Sequence, residues 1–313
     1  MRKTALKSLL ELAKKNKNVI FIGSDLGSGT LNEYKEKFPE RYFMEGISEQ
    51  HIIGMASGLA LDGYTVYINT ISTFLTRRCF EQNVVNLGLH NLNVRLIGSG
   101  GGTVYAPLGP THIALDDIAI MNTIPNMTII SVADEVEMAN MMRETLKHKG
   151  PIYIRMGKGG DPIITKRKKF EIGSCYKYLK GDEVALISTG IMTFQCINAA
   201  KKLNKNRIKT SVYHFPTIKP FNVRSIINAT RNKKIVLVVE EHSEIGGLHS
   251  IVSSNLMKNQ IVTNYSNISF KDKFISSYGK QRDILNNNKL DEISIYKKII
   301  KMLNQENYHE KRN

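Results

Sequence analysis

Short runs of β-branched and aliphatic residues alternate along most of the chain with stretches whose apolar positions recur every three or four residues. "NVIFIGSDLG", "YTVYINTI", "NVRLIGSGGG" and "MTIISVAD" each give a strand running into a turn, and "PIYIRMGKGG" closes this first series. "EVALISTG", "KTSVYHFP" and "KKIVLVVEEH" are strands of a second series, with "MTFQCINAAKKLNK" a helix after the first of them. Strands this uniformly apolar are covered on both faces, and their alternation with helices predicts an α/β fold of mostly parallel sheets. An opening helix carries Ala5, Leu9, Leu12 and Ala13 on one face, and a closing helix carries Ile295, Ile299, Ile300 and Leu303. The basic run "KRKKF" falls between the two series. The pattern therefore predicts two domains, residues 1–165 and 172–313, joined by a linker over 166–171, with a frayed C-terminal tail.

One helix departs from the ordinary amphipathic pattern. "EGISEQHIIGMASGLA" sets Glu49 at the mouth of a segment that continues with Gly54, Ala56, Ser57, Gly58 and Ala60. Glycines weaken a solvent-facing helix and give it nothing to pack, so a close-packed surrounding is expected here.

Composition narrows the setting. The 313 residues, 42% of them hydrophobic, suffice for two domains with cores of their own. No apolar run reaches membrane-spanning length, and the opening helix lacks the apolar core and cleavage site of a signal peptide. Cys79, Cys175 and Cys196 lie far apart, suggesting neither a disulfide framework nor a zinc site, and a cytoplasmic protein is expected. The net charge of +16 is spread over Lys/Asn-rich segments. A solvated surface explains it first, attraction of an anionic substrate or cofactor second, and nucleic acid last.

The candidate chemistry lies at strand ends. Asp25 follows the first strand, where α/β sheets bind their ligands, and Arg155 and Lys158 end another strand and are placed to meet an anion. Phe74, Arg77 and Phe80 recur at steps of three, as either an aromatic core face or a slot that stacks a flat heterocycle. The loop "GSGGGTVYAPLGPTH" matches neither the dinucleotide nor the Walker fingerprint, so a plain loop and a phosphate cradle stay equally open. His112 ends that loop after a proline-fixed turn, as a structural or a catalytic histidine.

Taken in order, "GSDL", "EGISEQ", "STFLTRRCFEQ", "GPTH" and "PIYIRMGKGG" resemble the pyrimidine-binding domain of the thiamine-diphosphate-dependent transketolase family, and "DEVALISTG", "TIKPFN" and "VVEEHSEIGGLHS" resemble its C-terminal domain. The resemblance implies a thiamine-diphosphate-binding fold followed by a transketolase C-terminal-like domain. It implies that Glu49 hydrogen-bonds the aminopyrimidine of thiamine diphosphate and promotes the tautomer that takes the thiazolium proton. Phe74 and Phe80 would line the pyrimidine slot with Arg77 at its edge, and Asp25 would lie near the thiazolium. His112 would shuttle protons at the reacting carbon. Arg155, with Lys158, would grip the phosphate of a sugar phosphate.

Two departures bear on function. Leu108 stands where transketolases usually carry an acidic residue before GPTH, and glycines replace an earlier histidine, so an unusual sugar substrate is expected. No GDG motif occurs, so Mg2+ and the diphosphate are expected to be held by a second, N-terminal transketolase-like subunit carrying that motif, in an α2β2 heterotetramer. The expected activity is transfer of a two-carbon ketol unit between sugars or sugar phosphates. The β subunit of a 2-oxo-acid dehydrogenase is the enzymatic rival, and a non-catalytic scaffold of the same fold a remoter one.

Overall fold

A computed structural model describes residues 1–26, 28–157 and 159–310. The first series of strands comprises β1 (Val19–Gly23), β2 (Tyr42–Met44), β3 (Thr65–Ile71), β4 (Val94–Ser99), β5 (Thr128–Ser131) and β6 (Ile152–Met156). The second comprises β7 (Tyr176–Leu179), β8 (Val184–Ser188), β9 (Thr210–His214), β10 (Thr217–Lys219), β11 (Ile235–Ser243) and β12 (Asn264–Phe270). Every residue of β1, β4, β5 and β6 is buried, as their unbroken apolar sequences require in a sheet covered on both faces. Each aliphatic side chain so buried contributes about 1.5–3 kcal/mol.

The strands form two sheets, in the orders β10-β5-β6-β4-β3-β1-β2 and β12-β11-β8-β9-β7. All pairings are parallel except the two edges, β10 on β5 and β7 on β9. The edge strand β10 lies beyond the linker in sequence yet completes the first sheet, with Thr217 opposite Ile130. The two halves of the chain are thereby interlocked, and one apolar cluster runs through both, joining Ile20, Ile68 and Ile129 to Ile187, Phe215 and Val238.

The basic segment is more than a solvated linker. Arg167 Nη2 donates to Glu137 Oε1 at 2.6 Å and to the Tyr178 hydroxyl at 2.9 Å, and its guanidinium lies 3.4 Å from the centre of the Tyr176 ring. A cation with a flat face and a forked edge can hold a carboxylate and an aromatic ring together, which a lysine cannot.

The small-residue helix spans Glu49–Leu61. Its inner face buries Glu49, Ile52, Ile53, Ala56, Ser57 and Ala60. Its outer face is open at Gly54 and Gly58, where an added Cβ would meet nothing within 4 Å. The helix is therefore close-packed on one side only.

Candidate functional site

Parallel strands all present their C-terminal ends to one edge of the sheet, and Asp25, Glu49 and Phe74 follow the ends of β1, β2 and β3. After β2 the chain turns at Gly46, in the left-handed region with φ +68° that a side chain resists, and enters the helix that begins at Glu49. Glu49 thus sits in the first helical turn, where unsatisfied backbone N–H groups favour a carboxylate, yet it is only 2% exposed. Its partner is Arg78, whose Nη1 donates to Glu49 Oε2 at 2.7 Å. The Arg78 guanidinium in turn lies 4.1 Å from the centre of the Phe74 ring. The His112 ring meets the same Phe74 edge-on, 5.2 Å between centres and inclined at 71°. The structure brings Glu49, Phe74 and His112 into one neighbourhood, with Arg78 linking Glu49 to Phe74.

Arg78 was not among the expected residues because the segment is not an ordinary α-helix. Phe74–Arg78 is a π-helical turn, wound wider than the α-helix that steps of three assume. Widening the turn carries the residue three ahead of Phe74 off its face and leaves the residue four ahead on it. Arg77 accordingly points elsewhere, its Nη2 donating to the carbonyls of Thr111 (3.4 Å) and Ile113 (3.3 Å). It braces the turn that carries His112 instead of edging the aromatic slot. Phe80 is 36% exposed and, among the described residues, has no ring contact with Phe74, so the expected second wall of the slot is not formed by it. The doublet Arg77–Arg78 was the only available signal, and choosing between its members required the winding.

Asp25 is exposed at the end of β1 beside Ser24, whose Oγ lies 2.9 Å from Asp25 Oδ1. Among the described residues no hydrogen bond or ion pair joins it to Glu49 or Phe74. Lys158 lies outside the described residues. Leu108 is 55% exposed at the start of the turn leading to His112.

Arg155 departs from the expected phosphate grip. It is 5% exposed, with Nε donating to Asp117 Oδ2 at 2.7 Å and Nη2 donating to the carbonyls of Ala114 (3.2 Å) and Glu241 (2.8 Å). Asp117 also accepts from the Tyr153 hydroxyl at 2.7 Å. This buried group fastens the His112 loop to β11 of the second sheet. The glycines of GSGGG serve the same junction. At Gly102, with φ +76°, an added Cβ would run into the Glu241 carboxyl group, so the close approach they allow is to the protein's own side chains. Glu241 accepts from Thr103 through both its backbone N–H (2.9 Å) and its hydroxyl (2.7 Å). Burial pushes the Glu241 carboxyl up, and pushes His242 down to about 4. His242 Nε2 accepts from the Ala119 N–H at 3.4 Å, as a neutral imidazole must. Two carboxylates ending the apolar strand "KKIVLVVEEH" were the sequence signal for this junction.

A cavity of about 290 Å3 opens beside the His112 turn, lined by Arg77, Pro110, Ile113, Lys271 and Lys273 among others. A wider one, about 850 Å3, lies away from Glu49, between the 159–162 loop and the second-domain segments around Gln281 and Asp291. Among the described residues no group of three or more His, Cys, Asp or Glu side chains is placed to hold a metal ion, and no helix is long and apolar enough to cross a membrane.

Comparison with known proteins bears on the whole chain. Residues 1–160 match the transketolase pyrimidine binding domain, and residues 174–291 the transketolase C-terminal domain. A putative transketolase C-terminal section from Methanocaldococcus jannaschii is 34% identical over 98% of this chain and 97% of its own length. One of the subunits of the apulose-4-phosphate transketolase of Phocaeicola vulgatus is 32% identical over 83% of this chain and 84% of its own. Among solved structures, a split gene transketolase described as an inactive beta4 tetramer superposes with a TM-score of 0.87 at 28% identity, covering 97% of this chain and 98% of that one.

Proposed function

The chain belongs to the transketolase family, and we propose that it is the pyrimidine-binding and C-terminal subunit of a two-component ketol transferase that uses thiamine diphosphate. The observation that carries this reading is the carboxylate of Glu49, buried at a helix start and facing a flat cationic N–H donor that lies on Phe74. That guanidinium stands in for an aminopyrimidine, which offers the same planar face and edge donors, so the residues present fit the group. Bound thiamine diphosphate would supply a nucleophilic carbon and an electron sink.

The chain's own residues supply placement and proton handling. Glu49 would hold a proton against the ring nitrogen in a dry environment, where a hydrogen bond to a charged group is strongest. Phe74 would support the ring from one face. His112, set against Phe74 by the braced turn, would exchange protons with the substrate oxygen.

The diphosphate and Mg2+ are assigned to a second polypeptide. Two relatives named as single subunits of a transketolase support this. The open Gly54 and Gly58 face of the Glu49 helix would be the seam with that partner.

An anionic ketose is the proposed substrate class. Two relatives are named for such sugars, apulose-4-phosphate and 6-deoxy-6-sulfo-D-fructose. The cavity beside His112 is lined by three cations, Arg77, Lys271 and Lys273, against two carboxylates, Asp116 and Asp272, so the relatives' names carry the substrate class and the cavity's charge only accompanies it. Both matching family models are transketolase domains, which favours ketol transfer over the dehydrogenase reading.

The test is reconstitution with a GDG-containing polypeptide, following thiamine diphosphate binding by calorimetry with and without Mg2+ and ketol transfer from phosphorylated and sulfonated ketoses. Tight, Mg2+-dependent binding is expected only in the mixture. Equally tight binding by this chain alone would refute the two-component reading.

A further inference from the structure

The contact between Arg78 and Glu49 has the form of a ligand contact. The guanidinium is planar and delocalised, donates N–H groups from its edge, and has its central carbon over the Phe74 ring, 4.1 Å from the ring centre. It makes a 2.7 Å hydrogen bond to a carboxylate that is 2% exposed, while the Arg78 side chain itself is 42% exposed. The backbone around it is held: the Arg78 carbonyl accepts from Gln50 Nε2 at 3.0 Å, tying the π-helical turn to the Glu49 helix. The side chain can therefore leave by its own torsions into solvent without any change of backbone, and Glu49 cannot follow it.

We infer that Arg78 occupies the aminopyrimidine place on Phe74 and Glu49 in the free chain, and that it must swing out before thiamine diphosphate binds. The inference rests on the reading of Glu49 and Phe74 as the pyrimidine site. Two consequences follow from the geometry. A buried carboxylate left without a partner in the free chain would carry a desolvation cost, and Arg78 removes it until the cofactor arrives. Occupancy by Arg78 also lowers the fraction of chains competent to bind, which weakens the apparent affinity by that fraction. Arg78 is on this account a gating residue, and a partner subunit whose surface holds the guanidinium elsewhere would open the site as it docks.

Calorimetric titration of the purified full chain with thiamine diphosphate, and with 4-amino-5-hydroxymethyl-2-methylpyrimidine as the ring alone, tests this. Arg78→Ala should bind both roughly tenfold more tightly than the native chain, as expected for removing one partly exposed ion pair stacked on a ring. Arg78→Lys, which keeps the charge but not the flat fork, should fall between. Equal affinities for the native chain and Arg78→Ala, or no measurable binding by either, overturn the gate, and so does weaker binding by Arg78→Ala. A second variant separates the two readings. If Arg78→Ala/Glu49→Gln binds the pyrimidine less well than Arg78→Ala, the pyrimidine site stands whatever becomes of the gate. If the two bind alike, the site reading falls and the gate with it. Arg78→Ala leaves Glu49 without its partner and should unfold at a lower temperature than the native chain, so native far-ultraviolet circular dichroism at the titration temperature secures the comparison.

Discussion

Glu137 Oε2 and His214 Nε2 lie 2.8 Å apart, with neither side chain exposed to solvent and the two on opposite sides of the linker. Glu137 also takes the Arg167 guanidinium and the Ala133 N–H, and His214 Nδ1 lies 2.7 Å from Thr193 Oγ1. The network fastens the first domain, the linker and the second domain at one point. Burial pushes the Glu137 carboxyl up, but the His214 and Arg167 partners overcome it and hold the group at about 2.

The first prediction follows from that carboxyl. Its folded value lies below the ordinary 4.5, so its contribution to stability is fully present above about pH 4.5 and is lost as the pH falls toward 2. Thermal unfolding of the native chain should show the domain junction weakening across that acid window. Glu137→Ala strands a buried histidine and arginine and should cost about 3–5 kcal/mol at neutral pH, with the acid slope flattened. A variant as stable as the native chain at pH 7 would mean that the network contributes nothing net.

Glu240 gives a slope of the opposite sign. It is fully buried and accepts the N–H groups of Leu248 and His249 at 2.7 and 2.8 Å, closing the start of the Leu248–Lys258 helix. Burial outweighs those hydrogen bonds and raises its carboxyl to about 7. The folded chain therefore holds a proton that the unfolded chain releases between about pH 4.5 and 7, and stability from this group falls as the pH rises through that window. Glu240→Gln keeps an acceptor for the helix and loses the titration. Chemical denaturation from pH 4.5 to 7.5 should show a smaller decline in the variant than in the native chain, and identical declines would dismiss Glu240 as the source.

Glu49→Gln separates charge from shape at the proposed site. The amide preserves the fold at the cost of one favourable helix-terminus charge, roughly 0.3–1 kcal/mol. In the reconstituted enzyme it should slow exchange of the thiazolium C2 proton by about two to four orders of magnitude, the range of general acid–base catalysis. Exchange within a few-fold of native would remove Glu49 from proton handling.

The strands and the two-domain α/β fold were legible because they depend on local apolar pattern, and Glu49, Phe74 and His112 stood out in sequence because they follow strand ends. β10 was not legible as part of the first sheet, because three residues, "TIK", carry no periodicity and their partner β5 lies more than eighty positions earlier. Arg77 and Phe80 were placed by steps of three, which hold for an α-helix and fail in the π-helical turn that the chain adopts. Arg155 and the linker's Arg167 read as exposed cations because a sequence shows charge without showing the buried carboxylates, Asp117 and Glu137, that receive them.

Gly54 and Gly58 offer the sharpest separation of what the chain needs from what its assembly needs. Within the chain an added Cβ at either position meets nothing within 4 Å. Glycine in a helix interior costs roughly 0.5–1 kcal/mol relative to alanine, because it loses more backbone freedom on folding. Gly54→Ala and Gly58→Ala should therefore each stabilise the free chain by about that amount, raising its thermal midpoint. If the face is the seam with a partner subunit, the same methyl groups would hold the two backbones apart, and association measured by analytical ultracentrifugation should weaken while the chain itself grows more stable. Opposite signs in the two measurements would identify a surface shaped for contact with another chain. A gain in stability with unchanged association would place the seam elsewhere on the molecule.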